Sequence, residues 1–470
     1  PLASALERTT DLDSKKEVAQ AFAHVLKLVD EPTQEEMVSR YISDLSQDDS
    51  ESRKTAVIAL GHIASLSSID PDLMRSAIQP LISVLQTTRD DETRAEAASA
   101  IGKLADFHKL STGGVYDLEI LTPVVVPMTD ALFIANTKGD KEQIGLIVSA
   151  LERLRLKVEP TVMVSAVKPV LDAAEILSIG DSNPIFVIDD YSNPMFAIEM
   201  IIDNVANLAK GQLIMELQIS ENPTVINLIT KTLVRNPIMV FESLVPELEQ
   251  ANARGDDRAR ANLLNVIIKL VDKPSPVELE SAINPIIEAM RESELEEVKV
   301  SGAEALSLIS SKEGIDKELL GPGIEPSVEA LKQVKRTTNA MILFKAITLL
   351  SAGQETDDPV VGFIQSLPSK GVHISLQPAI ATLYAKGIIN DDTDLDFMQN
   401  VLTQFLLHRN LEEIITDEQL SFESEHTDWL FFFDYHVSEI GTTEAEELMR
   451  YAQGIRSNAE RINLLEGVIK

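Results

Sequence analysis

The chain has 470 residues, of which 44% are hydrophobic, 25% are charged and only 4% are aromatic. This balance is typical of a folded protein, and the scarcity of aromatic residues argues against a β-sandwich or β-barrel. Acidic residues outnumber Lys and Arg by 75 to 41, a net charge of −34, so nucleic-acid phosphates and anionic membrane surfaces should repel the protein.

The absence of cysteine excludes disulfides, thiolate metal sites and cysteine nucleophiles. Reducing and oxidising compartments both tolerate such a chain, and a cytoplasmic location is the working expectation. No apolar run approaches the ~20 residues that cross a bilayer. The richest stretch, residues 120–128, contains Pro123 and Pro127. We therefore expect no membrane span.

The first clear element in chain order is a repeat of about 40 residues. The segment that begins at Asp49 and Arg53 recurs 41 residues later, beginning at Asp90 and Arg94. The small residues between them also recur in register, as does the glycine at 61 and 102. Acids at a helix start suit the helix dipole, and each Asp lies four residues before its Arg, which suggests an ion pair.

A second signal, a branched aliphatic residue two positions before a proline, runs through most of the chain. It occurs at Pro80, Pro127, Pro169, Pro285 and Pro326, with a close variant at Pro246. A cation usually follows fourteen residues later, at Arg94, Lys141, Arg260 and Lys299. Small or apolar residues lie 3, 6, 7 and 10 positions after each cation, which is one stripe of an α-helix. The pattern predicts a helical hairpin whose first helix begins near the proline or bends at it.

One such hairpin cannot bury its own apolar face, so the hairpins must stack. The proline-containing first helix, the Asp and Arg positions and the Ala-x-x-Ala-Leu stripe resemble HEAT repeats, with the armadillo repeat as a relative. The match is good over 33–107, fair over 115–158 and 237–352, and diluted over 159–236. The resemblance implies an all-α, right-handed superhelix of roughly eight to ten hairpins over 1–357, with the second helices on the concave side.

The same resemblance implies that the acids and arginines form a structural ladder between successive repeats. A ligand-binding role for the arginines is the alternative. The ladder positions are Asp49, Arg53, Asp90, Arg94, Asp256 and Arg260. Leu295 occupies the position of the acid in a later repeat.

The repeat is interrupted at about 181–196, where two Ser-Asn-Pro-x-Phe segments predict a loop between helices. This loop is either a tolerated surface insertion or a recognition loop. Its candidate partner-binding residues are Phe186, Asp189, Asp190, Tyr191 and Phe196.

Beyond 357 the repeat fades, and 358–470 is predicted to be a degenerate helical cap or a separate small domain. Its most unusual segment carries Trp429, Phe432 and Tyr435. These aromatics either pack on the last repeats or form a partner-binding patch. The neighbouring His426 and His436 fit no zinc spacing, and the acids at 391–396 lack the glycine and distal glutamate of an EF-hand loop. We expect no metal site and no cofactor.

A stack of helical hairpins without a catalytic constellation favours a non-catalytic scaffold or adaptor. It would bind a partner protein, and the acidic charge favours a basic partner. The alternatives are a structural or assembly subunit of a larger complex, and a HEAT-type lyase or other enzyme.

Overall fold

The computed structural model describes residues 2–64, 70–111, 118–179, 193–236, 240–334, 336–352, 354, 357–372, 377–387 and 395. These residues form helices and no strand, which confirms the predicted all-α fold. The described chain divides into two units, one ending at Val240 and one starting at Phe241. The predicted boundary at 357 stays a prediction, because most of 358–470 lies outside the described residues.

The described residues of unit 1 form fourteen α-helices. They are α1 (Leu2–Arg8), α2 (Leu12–Leu26), α3 (Glu31–Asp44), α4 (Ser50–Ile63), α5 (Pro71–Ser76), α6 (Ile78–Thr87), α7 (Asp91–Ser111), α8 (Leu118–Leu121), α9 (Val125–Lys138), α10 (Lys141–Leu154), α11 (Pro160–Met163), α12 (Val167–Ser178), α13 (Pro194–Ile219) and α14 (Pro223–Arg235). The first helices are α3, α6, α9 and α12, and each packs on the second helix that follows it. The second helices α2, α4, α7, α10 and α13 also pack on one another in that order.

Unit 2 repeats this arrangement. Its described helices are α15 (Val240–Arg254), α16 (Asp257–Leu270), α17 (Pro276–Glu292), α18 (Glu296–Ser310), α19 (Ile324–Gln333), α20 (Thr337–Leu350), α21 (Pro359–Ser366) and α22 (Gln377–Ala385). The second helices α16, α18 and α20 pack in a row, and α17 and α19 pack on α18 and α20.

The prolines start or interrupt the first helices in two ways. Pro80, Pro127, Pro169 and Pro326 are each the third residue of a helix that begins at the branched aliphatic residue, and a short helix ends just before that residue. A helix tolerates proline there because its first residues have no intrahelical acceptor to lose. Pro246 and Pro285 instead lie inside the continuous helices α15 and α17. Both predicted placements of the proline therefore occur.

The predicted apolar stripe of each second helix is buried. In α10 the stripe residues Ile144, Ile147, Val148 and Leu151 are at most 1% exposed. Helix α4 goes further, since Thr55 to Gly61 are all buried between α2, α3 and α7. A helix that is apolar on every side is stable only when neighbours cover every side, and stacking of repeats provides this.

Successive second helices approach closely where one carries glycine and the other alanine. A Cβ added to Gly61 would lie 3.3 Å from the Cβ of Ala100, and one added to Gly102 would lie 2.8 Å from the Cα of Ala150. The second distance is shorter than real Cβ contacts allow. Gly102 therefore sets the spacing between α7 and α10.

The fourth repeat departs from the others at its second helix. Helix α13 has 26 residues, against 14 for α4 and α10. It starts at Pro194, so the loop predicted over 181–196 ends in a helix, and residues 180–192 lie outside the described residues. The extra length of α13 is one reason why the repeat pattern is diluted over 159–236.

We predict opposite effects for two Gly→Ala substitutions in unit 1. Gly102→Ala forces α7 and α10 apart and should cost about 1–3 kcal/mol of unfolding free energy. Gly211→Ala, in α13, meets nothing within 4 Å and should stabilise by about 0.5–1 kcal/mol, because alanine is the better helix former. Denaturant unfolding of both variants measures the difference. Equal effects would contradict the close approach at Gly102.

Candidate functional site

The ladder acids lie at the starts of the second helices. The side chains of Asp49, Asp90 and Asp256 accept backbone N–H groups from Ser52, Thr93 and Ala259, at 2.8, 3.1 and 3.0 Å. Asp11 and Asp140 cap α2 and α10 in the same way. Each satisfies an amide that the helix leaves without a partner. Leu295, at the start of α18, makes no side-chain cap.

The ladder arginines pair with a different acid from the one expected. Arg94 contacts Asp91, and Arg260 contacts Asp257 at 2.7 Å, so each pair spans three residues rather than four. Arg53 donates to the backbone oxygen of Asp48 at 3.1 Å. The acid four residues before each arginine is already used as a helix cap, and the structure shows no ion pair between them among the described residues.

Successive repeats are joined by a basic residue near the start of a second helix. This residue contacts the C-terminal end of the first helix in the following repeat. Lys141 donates to the Ile179 oxygen at 2.5 Å, just beyond α12. Arg260 contacts the Glu292 carboxylate at 2.7 Å, at the last residue of α17. Lys299 contacts Gln333, the last residue of α19, at 3.2 Å. A helix C-terminus carries partial negative charge, so a cation is favoured there.

Where the third repeat meets the second, the acid and the cation exchange places. The first helix α9 ends in Lys138, which forms an ion pair with Asp91 at the start of α7, beside Arg94. Lys141 follows Pro127 by fourteen residues, as the other cations follow their prolines, but it does not occupy the equivalent position in its helix. It is the first residue of α10, whereas Arg94 and Arg260 are the fourth residues of their helices.

An asparagine makes a second link between repeats. Asn136 Nδ2 donates to the Pro169 oxygen at 2.7 Å, and Asn252 Nδ2 donates to the Pro285 oxygen at 2.9 Å. Both bonds join the end of one first helix to the proline of the next. The proline-containing first helix, the Asp-capped second helix and the stacking between repeats are now established.

In these three features the repeat resembles the HEAT repeat.

The row of second helices in unit 1 is curved. Lys16 of α2 contacts Glu96 of α7 at 2.7 Å and Glu142 of α10 at 3.8 Å. A flat row with axes ~9 Å apart would place α10 roughly 27 Å from α2, beyond the reach of one lysine. The row must therefore bend toward Lys16, which lies on the concave side.

The concave side can be followed from helix to helix. On α7, Ala100 faces α4 and Gly102 faces α10, so Glu96, Ser99 and Lys103 lie between these two contacts on the third, inner side. On α10 the same reasoning from Ala150 places Glu142, Leu146, Ser149 and Arg153 inward. We call the surface formed by these residues with Lys16 and His62 the inner groove.

The charges in the inner groove perturb one another. Burial would lower the pKa of Lys16, but the hydrogen bond to Glu96 and nearby carboxylates raise it above its ordinary value. Burial lowers the pKa of Lys103; Glu96 opposes this, while Arg153 and Lys16 add to it. Burial, with Lys103 and Lys16 nearby, lowers the pKa of His62 from 6.5 to about 4. His62 is therefore neutral at physiological pH.

Carboxylates in and beside the inner groove are engaged in ion pairs. Glu96 pairs with Lys16, and the neighbouring Asp106 pairs with Arg153 at 3.2 Å. Among the described residues, no group of three or more His, Asp or Glu is placed to hold a metal ion. In the same part of the chain, no helix has the length and apolar character needed to cross a bilayer.

Of the predicted partner-binding residues, Phe196 is the one inside the described part of the chain. It is 46% exposed and lies in the first turn of α13. Phe186, Asp189, Asp190 and Tyr191 lie outside the described residues, as do Trp429, Phe432 and Tyr435. The partner-binding roles of all of these residues stay predictions.

Comparison with known proteins gives only distant likenesses. No family model and no curated protein matches the sequence. Among the solved structures that match, one of Kap95p with RanGDP covers 99% of this chain and 62% of its own, at 14% identity and a TM-score of 0.35. Kap121p bound to RanGTP covers 88% and 51%, at 12% and 0.35. The Pds5–Scc1 complex covers 98% and 81%, at 10% and 0.30.

This chain thus spans about six-tenths of the Kap95p chain and half of the Kap121p chain. Likenesses at these TM-scores carry no argument about what this chain binds. The fold assignment rests on the helices, caps and contacts between repeats described above.

We predict that Arg260→Met lowers the free energy of unfolding by about 1–3 kcal/mol. Arg260 is 2% exposed and donates to the buried Asn252 side chain, whose oxygen loses this donor in the variant. The Asp257 and Glu292 carboxylates, which Arg260 also contacts, are part-exposed and can be hydrated instead. Lys269→Met, at an exposed position of the same helix, is the control and should change stability by less than about 0.5 kcal/mol. Urea unfolding of the intact chain measures both. Similar losses would show that Arg260 has no special structural role.

We predict that His62 makes unit 1 less stable as the pH falls from about 6.5 to about 4. In this window the unfolded chain binds a proton that the folded chain excludes, so acid favours unfolding; above pH 6.5 the effect is absent. The stability of His62→Gln relative to the parent should therefore rise as the pH falls. Thermal unfolding of both proteins from pH 7.5 to 4.5 tests this. A pH-independent difference would contradict the neutral, buried histidine.

Proposed function

We propose that this protein is a non-catalytic scaffold that binds a segment of a partner protein in the inner groove of unit 1. The contact of Lys16 with both Glu96 and Glu142 carries the proposal, because it requires a concave row of second helices. A concave surface buries more of an extended segment than a flat one of the same length.

The lining of the inner groove supports this function. Ser99, Lys103 and Ser149 are half-buried, and Leu146 adds an apolar contact on α10. Partly exposed hydroxyl, amine and imidazole groups offer hydrogen bonds to the backbone and side chains of an extended segment. Stacked helices hold these groups in fixed positions, so binding requires little ordering of the scaffold.

The experiment is capture of partners from a lysate of the protein's own source, with a variant that fills the inner groove. Ser149→Trp places a large ring on the inner face of α10. Thr137→Trp places the same ring on the exposed side of the first helix α9 and is the matched control. Partners are identified by mass spectrometry at low and high salt.

We predict that the parent protein and Thr137→Trp retain the same partner, whereas Ser149→Trp loses it. Hydrogen exchange of the recovered complex should show protection on α4, α7 and α10. High salt should weaken retention, since charged groups line the inner groove. Retention by Ser149→Trp equal to that of the parent would place the partner elsewhere. Recovery of the protein alone with a bound small molecule would contradict a scaffold.

A further inference from the structure

One lysine of unit 1 joins repeats that are not neighbours. Lys16 Nζ of α2 lies 2.7 Å from a carboxylate oxygen of Glu96 in α7 and 3.8 Å from one of Glu142 in α10, although α4 packs between α2 and α7. In a stack of repeats each unit normally contacts only the next one. Lys15 shows the usual case, since it pairs with Glu51 of the adjacent helix α4 at 3.0 Å. We call Lys16 with Glu96 and Glu142 the clasp.

The main contact of the clasp is shielded from water. The side chain of Lys16 is 25% exposed and that of Glu96 is 10% exposed, whereas that of Glu142 is 73% exposed. An ion pair in such a place is weakened less by water and salt than one on the open surface. The pair of Lys16 with Glu96 therefore holds α2 toward α7, and Glu142 adds a weaker attraction from α10.

Small rotations between repeats add up along the row of second helices. The close approaches at Gly61 and Gly102 fix the distance between neighbouring helices at one point of each interface, and one point does not fix an angle. Three interfaces separate α2 from α10, so rotations of a few degrees at each would move α10 by roughly 3–5 Å relative to α2. A contact that spans several interfaces opposes all of these rotations at once.

The clasp also crosses the inner side of α4. Counted from the helix caps, Ile58 of α4 occupies the position of Ser99 in α7 and Ser149 in α10. The two serines are half-buried, whereas Ile58 is 2% exposed. To reach α7, the Lys16 side chain has to pass α4 within about one turn of Ile58. One turn further from the clasp, His62 is again partly exposed.

We propose that the clasp holds unit 1 in a closed, strongly curved state and keeps Ile58 covered. In the open state the row of second helices is flatter, and Ile58 joins Leu146 as an apolar contact in the inner groove. Access of a partner to Ile58 is the part of this inference that rests on the proposed function. The two states themselves need no partner. The inner groove of the unbound protein is thus partly closed by a side chain of its own.

The first test is a distance across the inner groove of the intact, unbound protein. The chain has no cysteine, so spin labels attach only to introduced ones. His24→Cys in α2 and Leu156→Cys, two residues beyond α10, are exposed positions outside the clasp. Double electron–electron resonance should give a mean distance that increases by roughly 3–5 Å in Lys16→Met. Lys15→Met removes an ion pair between neighbouring repeats, and as the matched control it should leave the distance unchanged.

Salt separates the clasp from other causes of movement. At about 1 M salt the screening length falls to about 3 Å, so the parent should shift toward the distance found in Lys16→Met. The Lys16→Met variant itself should not respond to salt. An unchanged distance in Lys16→Met, or an equal response of variant and parent to salt, would overturn the proposal.

The second test measures access to the inner side of α4. Ile58→Cys is made with Lys16 and with Lys16→Met, and its rate of reaction with a soluble maleimide is followed. The rate should be about tenfold or more higher with Lys16→Met, because a thiol reacts only when it is uncovered. Leu60→Cys, fully buried on the opposite side of the same helix, is the control and should react equally slowly in both backgrounds. Equal acceleration at both positions would show general unfolding and overturn the proposal.

The clasp and the proposed function fail in different ways. If the distance and the labelling rate respond to Lys16→Met, the clasp is supported even where Ser149→Trp keeps its lysate partner, a result that contradicts only the proposed function. If neither responds, the clasp is overturned, while loss of the partner by Ser149→Trp still supports binding in the inner groove.

Discussion

Close packing between neighbouring second helices is the constraint on which the rest of unit 1 depends. At Gly61 and Gly102 the next repeat comes so near that one added carbon would meet Ala100 or Ala150. Small residues allow this approach, but they bury little apolar area of their own. Larger buried residues of α10, such as Leu151 and Ile147, supply the apolar area instead.

Stacks of near-identical repeats must also fix their register, since neighbouring repeats could slide past one another at little cost in apolar contact. Polar contacts between repeats supply the register. Asn136 and Asn252 each reach a single carbonyl oxygen in the next first helix, and Arg260 reaches a single side chain there. A shift of one helical turn would break every one of these bonds. Their contribution is therefore to specificity as much as to stability.

The sequence predicted the fold well because burial imposes a period. The stripe after each cation is apolar in nearly every repeat, and the glycines at 61 and 102 keep their register. The roles of polar residues were harder to predict. An acid four residues before an arginine is compatible with an ion pair and with a helix cap, and only the structure shows that Asp90 is a cap while Arg94 contacts Asp91. The fourteen-residue spacing also gave Lys141 the wrong place, because helix α9 extends further beyond its proline than α6 does.

The inner groove was missed for a different reason. Its residues come from four repeats and have no common type, so a search for a motif around any one of them finds nothing. The signal becomes visible only when the repeats are aligned on their caps, where a basic residue follows thirteen positions later each time. Alignment on the prolines hides it, since Pro127 and Pro80 lie at different distances from the caps that follow them. In a stacked-repeat protein, positions on the shared surface are therefore best compared by counting from the helix that carries them.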